Sequence, residues 1–416
     1  MAATFRSLGV RNFRLFFSGQ LISQIGNWMR MVAQALLVLK LTDSGIAVGV
    51  LMACQFAPVL LFGPFAGLVA DRSDKRRLLL AVQTAAMAQS FVLAALAFMD
   101  RPPLAALFAV AAAGGLATAF DNPARRSFVV EMVPEELVQN AVSLNSAMMT
   151  GARIFGPTLA GVLITTVGYG WAFVVDGVSF LAVLLGLWMM RTEELRPAPP
   201  TTRGKGQVRA GLRYVWSETD LRVSLVMMTI VGTLAFNFSV VFPLFVTRSL
   251  GGTEQEFTWL FSVVSVGSMA GALWTARRTT VELIHVVWSS VGFGLSMLLL
   301  AVMPNLLASY PVAMLVGLAS ITFMTSSTTL LQLRADPTMR GRVLALQAMV
   351  FLGSTPIGGP IVGAVCEAFG ARSGLAVGGV ACLVAAGWGA IAGRRALLIK
   401  EPIDELVATG VELQTT

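Results

Sequence analysis

This chain of 416 residues contains one histidine, His285, and only three cysteines and three tyrosines. That scarcity removes most hydrolytic and metal chemistry. No nucleophile stands beside a partner imidazole, no metal-ligand grouping is spaced along the chain, and no phosphate-binding glycine loop occurs. No catalytic residue, metal or cofactor is therefore expected. Cys54, Cys366 and Cys382 lie far apart inside apolar segments without CxxC spacing, which predicts free thiols. Charge is equally sparse. Charged residues make up 12% and hydrophobic residues 56% of the chain, against about 25% and about 45 to 50% in soluble globular domains. No soluble fold hides that much apolar surface. The net charge of +8 sits in short clusters between apolar runs, a pattern that topology explains better than nucleic acid does.

What is abundant fits a bilayer. There are 40 glycines and 20 methionines, and small residues let helices approach closely where hydrophobicity itself does not drive them together. Runs of roughly 20 residues, enough to cross about 30 Å of hydrocarbon, fall at 13–39, 46–70, 78–99, 104–124, 141–167 and 171–190. A second set falls at 223–247, 257–276, 283–303, 311–333, 343–368 and 375–393. The expected fold is an all-α membrane protein with twelve transmembrane helices in two six-helix bundles. The units are 1–190, a linker at 191–222, 223–395, and a tail at 396–416. The run behind Arg6, Arg11 and Arg14 is too long for a signal-peptide core and lacks a small-residue cleavage site, so it is expected to remain as the first span.

Assigning alternate loops to opposite sides places most of the 30 Lys and Arg on one side. Lys40, Arg101, Arg248 and Arg372 fall on the other, and Arg30 and Arg153 lie at membrane depth. The positive-inside rule then puts both termini in the cytoplasm. The linker begins with Pro197, Pro199 and Pro200 and continues through Arg203, Lys205, Arg209, Arg213 and Trp216. It reads either as a flexible start followed by a basic amphipathic helix on the inner leaflet, or as a solvated connection.

The halves repeat. A shift of 203 residues brings Pro134 onto Pro337, Gly156-Pro157 onto Gly359-Pro360, and Gly186 onto Gly389; a shift of 204 brings Gly63, Ala66 and Gly67 onto Gly267, Ala270 and Gly271. Six spans is an even number, so equivalent segments keep their orientation and the repeat axis runs along the membrane normal.

Three stretches carry a family resemblance. The loop after the second span contains Gly67, Asp71, Arg72, Lys75 and Arg76 in register and is similar to the signature loop of the major facilitator superfamily, with Asp74 where that family usually has Gly. The resemblance implies that Asp71 meets the N-terminal end of the eleventh span as an inner gate. It also implies that the basic residues pair with an acid ending the fourth span, which the sequence places near Asp121. Gly151, Gly156, Pro157 and Gly161 in the fifth span resemble the antiporter motif of exporters in the superfamily, with Ala160 where Gly is usual. They read either as a hinge or as an ordinary small-residue packing face. Phe13-Arg14, Gln20, 120–126 and Val133-Pro134-Glu135 resemble the drug and siderophore exporter branch that contains the enterobactin exporter and macrolide efflux proteins.

In the first span Gln20, Ser23, Gln24, Asn27, Arg30 and Gln34 occupy an arc of roughly 120° at about 100° per residue. Such a face does not point at lipid. It lines either a substrate cavity, with Arg153 and Asn237 as further members, or a structural hydrogen-bonding seam. An anionic or strongly polar substrate head is expected to meet Arg30, with Phe, Met and Trp side chains taking the apolar body; alternatively either deep arginine is neutralised by Asp176. Asp176 and Asp121 are the candidate proton-coupling carboxylates, since the first span has no acid; His285 reads as an interfacial residue. The resemblance implies proton-coupled export of a small amphiphilic, possibly anionic compound by alternating access from a bacterial inner membrane. The expected partners are protons and membrane lipids, with no nucleic acid, and the expected state is a monomer. Flipping of a lysophospholipid or solute uptake is the alternative.

Overall fold

The computed structural model describes residues 3–196, 207–276, 280–336 and 339–408. The expectations for Pro197, Pro199, Pro200, Arg203, Lys205 and the end of the tail lie outside them. Among the described residues the chain is helical with no strand. Eleven helices are long and apolar enough to cross a membrane. They include α2 (Gly45–Arg72), α3 (Lys75–Ala97), α4 (Leu104–Glu131), α5 (Val138–Val167) and α6 (Tyr169–Trp188). α1 (Arg11–Thr42), although 32 residues long, is not among the eleven, because its glutamines, asparagine and arginine dilute its apolar residues. Those side chains are hidden by packing: α1 lies against α5 and α6, and Gln20, Gln24, Arg30 and Gln34 are all buried.

Short polar residues start several helices by accepting an otherwise orphaned amide. Ser44 accepts from Ala47 N at the head of α2 and Asp74 accepts from Arg77 N at the head of α3. Asp74, which departs from the family pattern, is thus the cap of α3. α1 ends on Asp43 in the left-handed region at φ 44, a position that Asp tolerates through local hydrogen bonding.

After the linker come α7 (Gln207–Ser217), α8 (Thr219–Leu234), α9 (Phe238–Leu244), a π-helical turn over Phe245–Ser249, and α10 (Glu254–Ala276). The span expected over 223–247 falls within the membrane-long apolar stretch Thr219–Ser249, but its helix is interrupted at 235–237. Asn237 repairs part of the break: its side-chain Nδ2 donates to Thr233 O at 2.7 Å, and its backbone carbonyl accepts from Val240 N and Val241 N. Pro243, which has no N–H to give, adds to the irregularity. α11 (Leu283–Ala301), α12 (Leu306–Arg334), α13 (Arg340–Phe369) and α14 (Ala371–Ala408) complete the chain. In the linker, α7 is helical and buries Gly211 and Val215 against α13 while Leu212, Arg213 and Trp216 stay exposed.

The first six helices meet the later ones chiefly along two seams, α2 on α13 and α5 on α10. The first depends on glycine. A Cβ on Gly45 would lie 2.9 Å from Gly363 O, and one on Gly359 would lie 3.1 Å from Gly49 O, so backbones touch where any side chain would hold them apart. At the same end Ser44 Oγ donates to Glu367 Oε2 at 2.7 Å, Ile46 N donates to the same oxygen at 3.2 Å, and Arg248 Nη2 lies 2.9 Å from Asp43 Oδ1.

Candidate functional site

A cavity of about 460 Å³ opens between the first six helices and the later ones, within the size range of small-molecule sites. Its two walls differ in chemistry. α1 to α5 supply Gln24, Asn27, Arg30, Gln55, Gln83, Gln89, Asp121, Arg125, Arg126 and Arg153; α9, α10, α13 and the 235–237 break supply Phe236, Phe238, Phe261 and Phe351, with Asn237 and Thr355 among them. The break in the helix is what turns Phe236 and Asn237 toward this space. Phe236 is the hub of the aromatic wall, with ring centroids 5.2 Å from both Phe293 and Phe351 and 5.8 Å from Phe238. Such tilted and edge-on pairs are each favourable by about 0.5 to 1.5 kcal/mol beyond their burial.

The polar arc of α1 divides between the two readings left open by the sequence. Gln24, Asn27 and Arg30 line the cavity. Gln20 and Gln34 do not, and that part of the cavity expectation is corrected: Gln20 Oε1 accepts from Gln24 Nε2 at 3.2 Å, while Gln34 accepts from Gln55 Nε2 at 3.0 Å and donates to Leu107 O at 3.3 Å. The reason is length. The arc runs past the cavity at both ends, into an i,i+4 bond within α1 at Gln20 and into bonds to α2 and α4 at Gln34.

The two deep arginines also separate. Arg30 Nε lies 3.0 Å from Asp176 Oδ2, and its Nη2 donates to Asn27 Oδ1. Asp176 is fully buried and accepts from Ser90 Oγ at 2.6 Å; the absence of a side chain at Gly26 gives its carboxylate room, since a Cβ there would come within 2.6 Å of Oδ1. Asp176 therefore stands behind Arg30 and does not line the cavity. Among the described residues, no carboxylate lies within ion-pair distance of Arg153. Its guanidinium lies 5.3 Å from the Trp28 ring centroid, in cation–π range.

Asp121 is corrected as the acid that ends the fourth span. α4 continues ten residues further to Glu131, and Lys75 Nζ meets Glu131 Oε1 at 2.6 Å. Arg76 donates to Leu187 O at 2.7 Å and Trp188 O at 3.2 Å, capping the C-terminus of α6. Gly67 is buried in α2, Asp71 sits in its last turn half-buried, and Arg72 is exposed. Asp121 itself faces the cavity, where it accepts from Gln83 Nε2 at 2.7 Å and Arg125 Nε at 3.0 Å. Arg125, named in the sequence only within the 120–126 stretch, is 5% exposed; its i,i+4 spacing from Asp121 was the available signal.

In the antiporter-like motif, a Cβ on Gly156 would strike Trp28 and the carbonyl of Ile25 on α1, and one on Gly161 would overlap Thr258 on α10; at Gly151 it would meet nothing within 4 Å. Pro157 lies within an α5 that runs unbroken from Val138 to Val167. His285 accepts from Glu282 N at 3.0 Å at the start of α11, a capping role.

The family described as transmembrane secretion effector matches residues 2–400. The staphyloferrin A transporter of Staphylococcus aureus (strain NCTC 8325 / PS 47) is 22% identical over 361 residues, covering 86% of this chain and 90% of that protein. The multidrug efflux pump Tap of Mycolicibacterium fortuitum is 26% identical over 380 residues, covering 86% and 89%. Among solved structures, a bacterial homolog of the human lysosomal transporter Spinster, in an inward-facing and unoccupied conformation, superimposes with a TM-score of 0.74 at 15% identity over 95% of this chain and 98% of that one. That likeness is one of fold.

Proposed function

The chain belongs to the transmembrane secretion effector family of the major facilitator superfamily and is a multi-pass membrane transporter, and we propose that it exports a small amphiphile by proton-coupled alternating access. The observation that carries this reading is the two-sided cavity, in which every charged side chain stands in the wall of the first six helices, among Trp28, Phe56 and Phe180, while phenylalanine is the commonest residue of the opposite wall. An anionic or strongly polar head meets Arg153, and an apolar body lies against Phe236, Phe238 and Phe351. A siderophore or drug has this character, in keeping with the named relatives.

On this reading α1 is the twelfth span, and two six-helix bundles, 1–190 and 223–395, rock about the seams between α2 and α13 and between α5 and α10. The cluster of basic residues at the Asp71 end supports a cytoplasmic location for that end and for both termini in a bacterial inner membrane. The bonds joining Ser44 to Glu367 and Asp43 to Arg248 close the opposite end, which supports an inward-facing state. The working unit is a monomer in contact with lipid. Asp121 is the coupling carboxylate we favour, because it lines the cavity whereas Asp176 lies behind Arg30.

Reconstitution into proteoliposomes tests the proposal, using siderophores, drugs and lysolipids under an imposed pH gradient. Gradient-dependent export of an anionic amphiphile, lost in Arg153→Gln, is expected. No movement of any of them under the gradient would sink the exporter reading.

A further inference from the structure

The charges in the cavity wall do not cancel, and the remainder specifies the ligand more closely. Arg30 is matched by Asp176 at 3.0 Å, and Arg125 by Asp121 at 3.0 Å. Two arginines remain, Arg126 on α4 and Arg153 on α5, and among the described residues no carboxylate lies within ion-pair distance of either. Arg153 is half-buried over Trp28; Arg126 is exposed, and both line the same cavity.

We propose that the ligand head carries two negative charges on separate groups, one bound by Arg153 and the other by Arg126. This rests on the amphiphile reading of the cavity and narrows it to a class, dianions with an apolar body. The physical argument is that two like charges in a site of reduced dielectric repel, and each gains when an anion arrives. A single anionic group satisfies one guanidinium and leaves the other uncompensated. Bidentate contact between guanidinium and carboxylate or phosphate adds directional selectivity at each position. The aromatic wall supplies stacking for the body but has no cation to contribute, so charge counting is confined to the α4 and α5 side.

The experiment is equilibrium binding to the full-length protein in lipid nanodiscs, by titration calorimetry, with three probes of equal apolar body: 2-naphthamide, 2-naphthoate and naphthalene-2,6-dicarboxylate. The dicarboxylate should bind at least about tenfold more tightly than the monocarboxylate, as expected for one added charged hydrogen-bonding contact. Arg126→Gln should reduce that ratio to below about twofold, and Arg126→Lys should leave it between the two values, because lysine keeps the charge but not the bidentate fork. Arg153→Gln should weaken both anions by about tenfold or more. Equal binding of the two anions to the native protein, or an unchanged ratio in Arg126→Gln, overturns the dianion proposal while leaving the amphiphile reading standing. Both anions binding no better than the amide overturns the two together.

Discussion

Ser44 Oγ donates to Glu367 Oε2 at 2.7 Å, and the same carboxylate oxygen accepts the backbone amide of Ile46. A carboxylate near the C-terminus of α13 thus caps the N-terminus of α2, where unpaired amides and the helix dipole favour negative charge. The contact crosses between helices that must separate if this end of the molecule is to open.

Glu367→Gln should shift the population toward a state open at the Asp43 end by a few-fold, since it weakens a charged cap without changing side-chain volume. Spin labels at Ile46→Cys and Phe369→Cys, both exposed positions, would read the change as a longer-distance component by electron-electron resonance. An unaltered distance distribution would show that the cap does not hold the end closed.

The fifth helix offers a test of hinge against packing. Gly161→Ala should slow transport at least several-fold, because a Cβ there overlaps Thr258 across the α5–α10 seam, whereas Gly151→Ala should be tolerated in open space. Replacing Gly by Ala in a helix is favourable by up to about 1 kcal/mol where nothing clashes. Equal loss of initial transport rate in both variants would favour a flexible hinge instead.

Removing Asp176 should separate stability from ligand attraction. Asp176→Asn leaves Arg30 buried without its anion, and breaking such a pair costs about 3 to 5 kcal/mol, visible as a lower unfolding temperature in detergent. The same variant releases a cation at the cavity wall, so anionic probes should bind more tightly to the protein that remains folded. Pairing the change with Arg30→Met should restore part of the stability and abolish the extra binding. Weaker anion binding by Asp176→Asn would contradict this arrangement.

Coupling makes a different demand. Asp121→Asn should abolish transport against a gradient while allowing exchange of substrate across equal pH, measured as counterflow in proteoliposomes. Retained uphill transport would remove Asp121 from the coupling step.

The sequence made some of this legible. Long apolar runs mark helices directly, and the basic loop around Arg76 marks a helix junction. The extension of α4 was hidden because Asn122-Pro123 looks like a helix end. In the fold, Asp121 and Arg125 pair within the continuing helix and Pro123 is accommodated. The break at 235–237 was hidden for the opposite reason, since Phe236, Phe238 and Phe242 keep the segment apolar throughout. Periodicity correctly found the polar arc of α1, but not where the cavity stops. That boundary depends on Gln55 and Leu107, partners on other helices that a single-helix pattern does not contain.

The polar face of α1 also constrains how the protein is made. Arg30 at a helix centre opposes membrane insertion by about 2.5 to 3.5 kcal/mol, and its counter-ion, Asp176, is synthesised more than a hundred residues later. On the proposed twelve-span reading, α1 enters the bilayer before the helix that neutralises it exists. Its arginine then gains a counter-ion only when α6 packs against it.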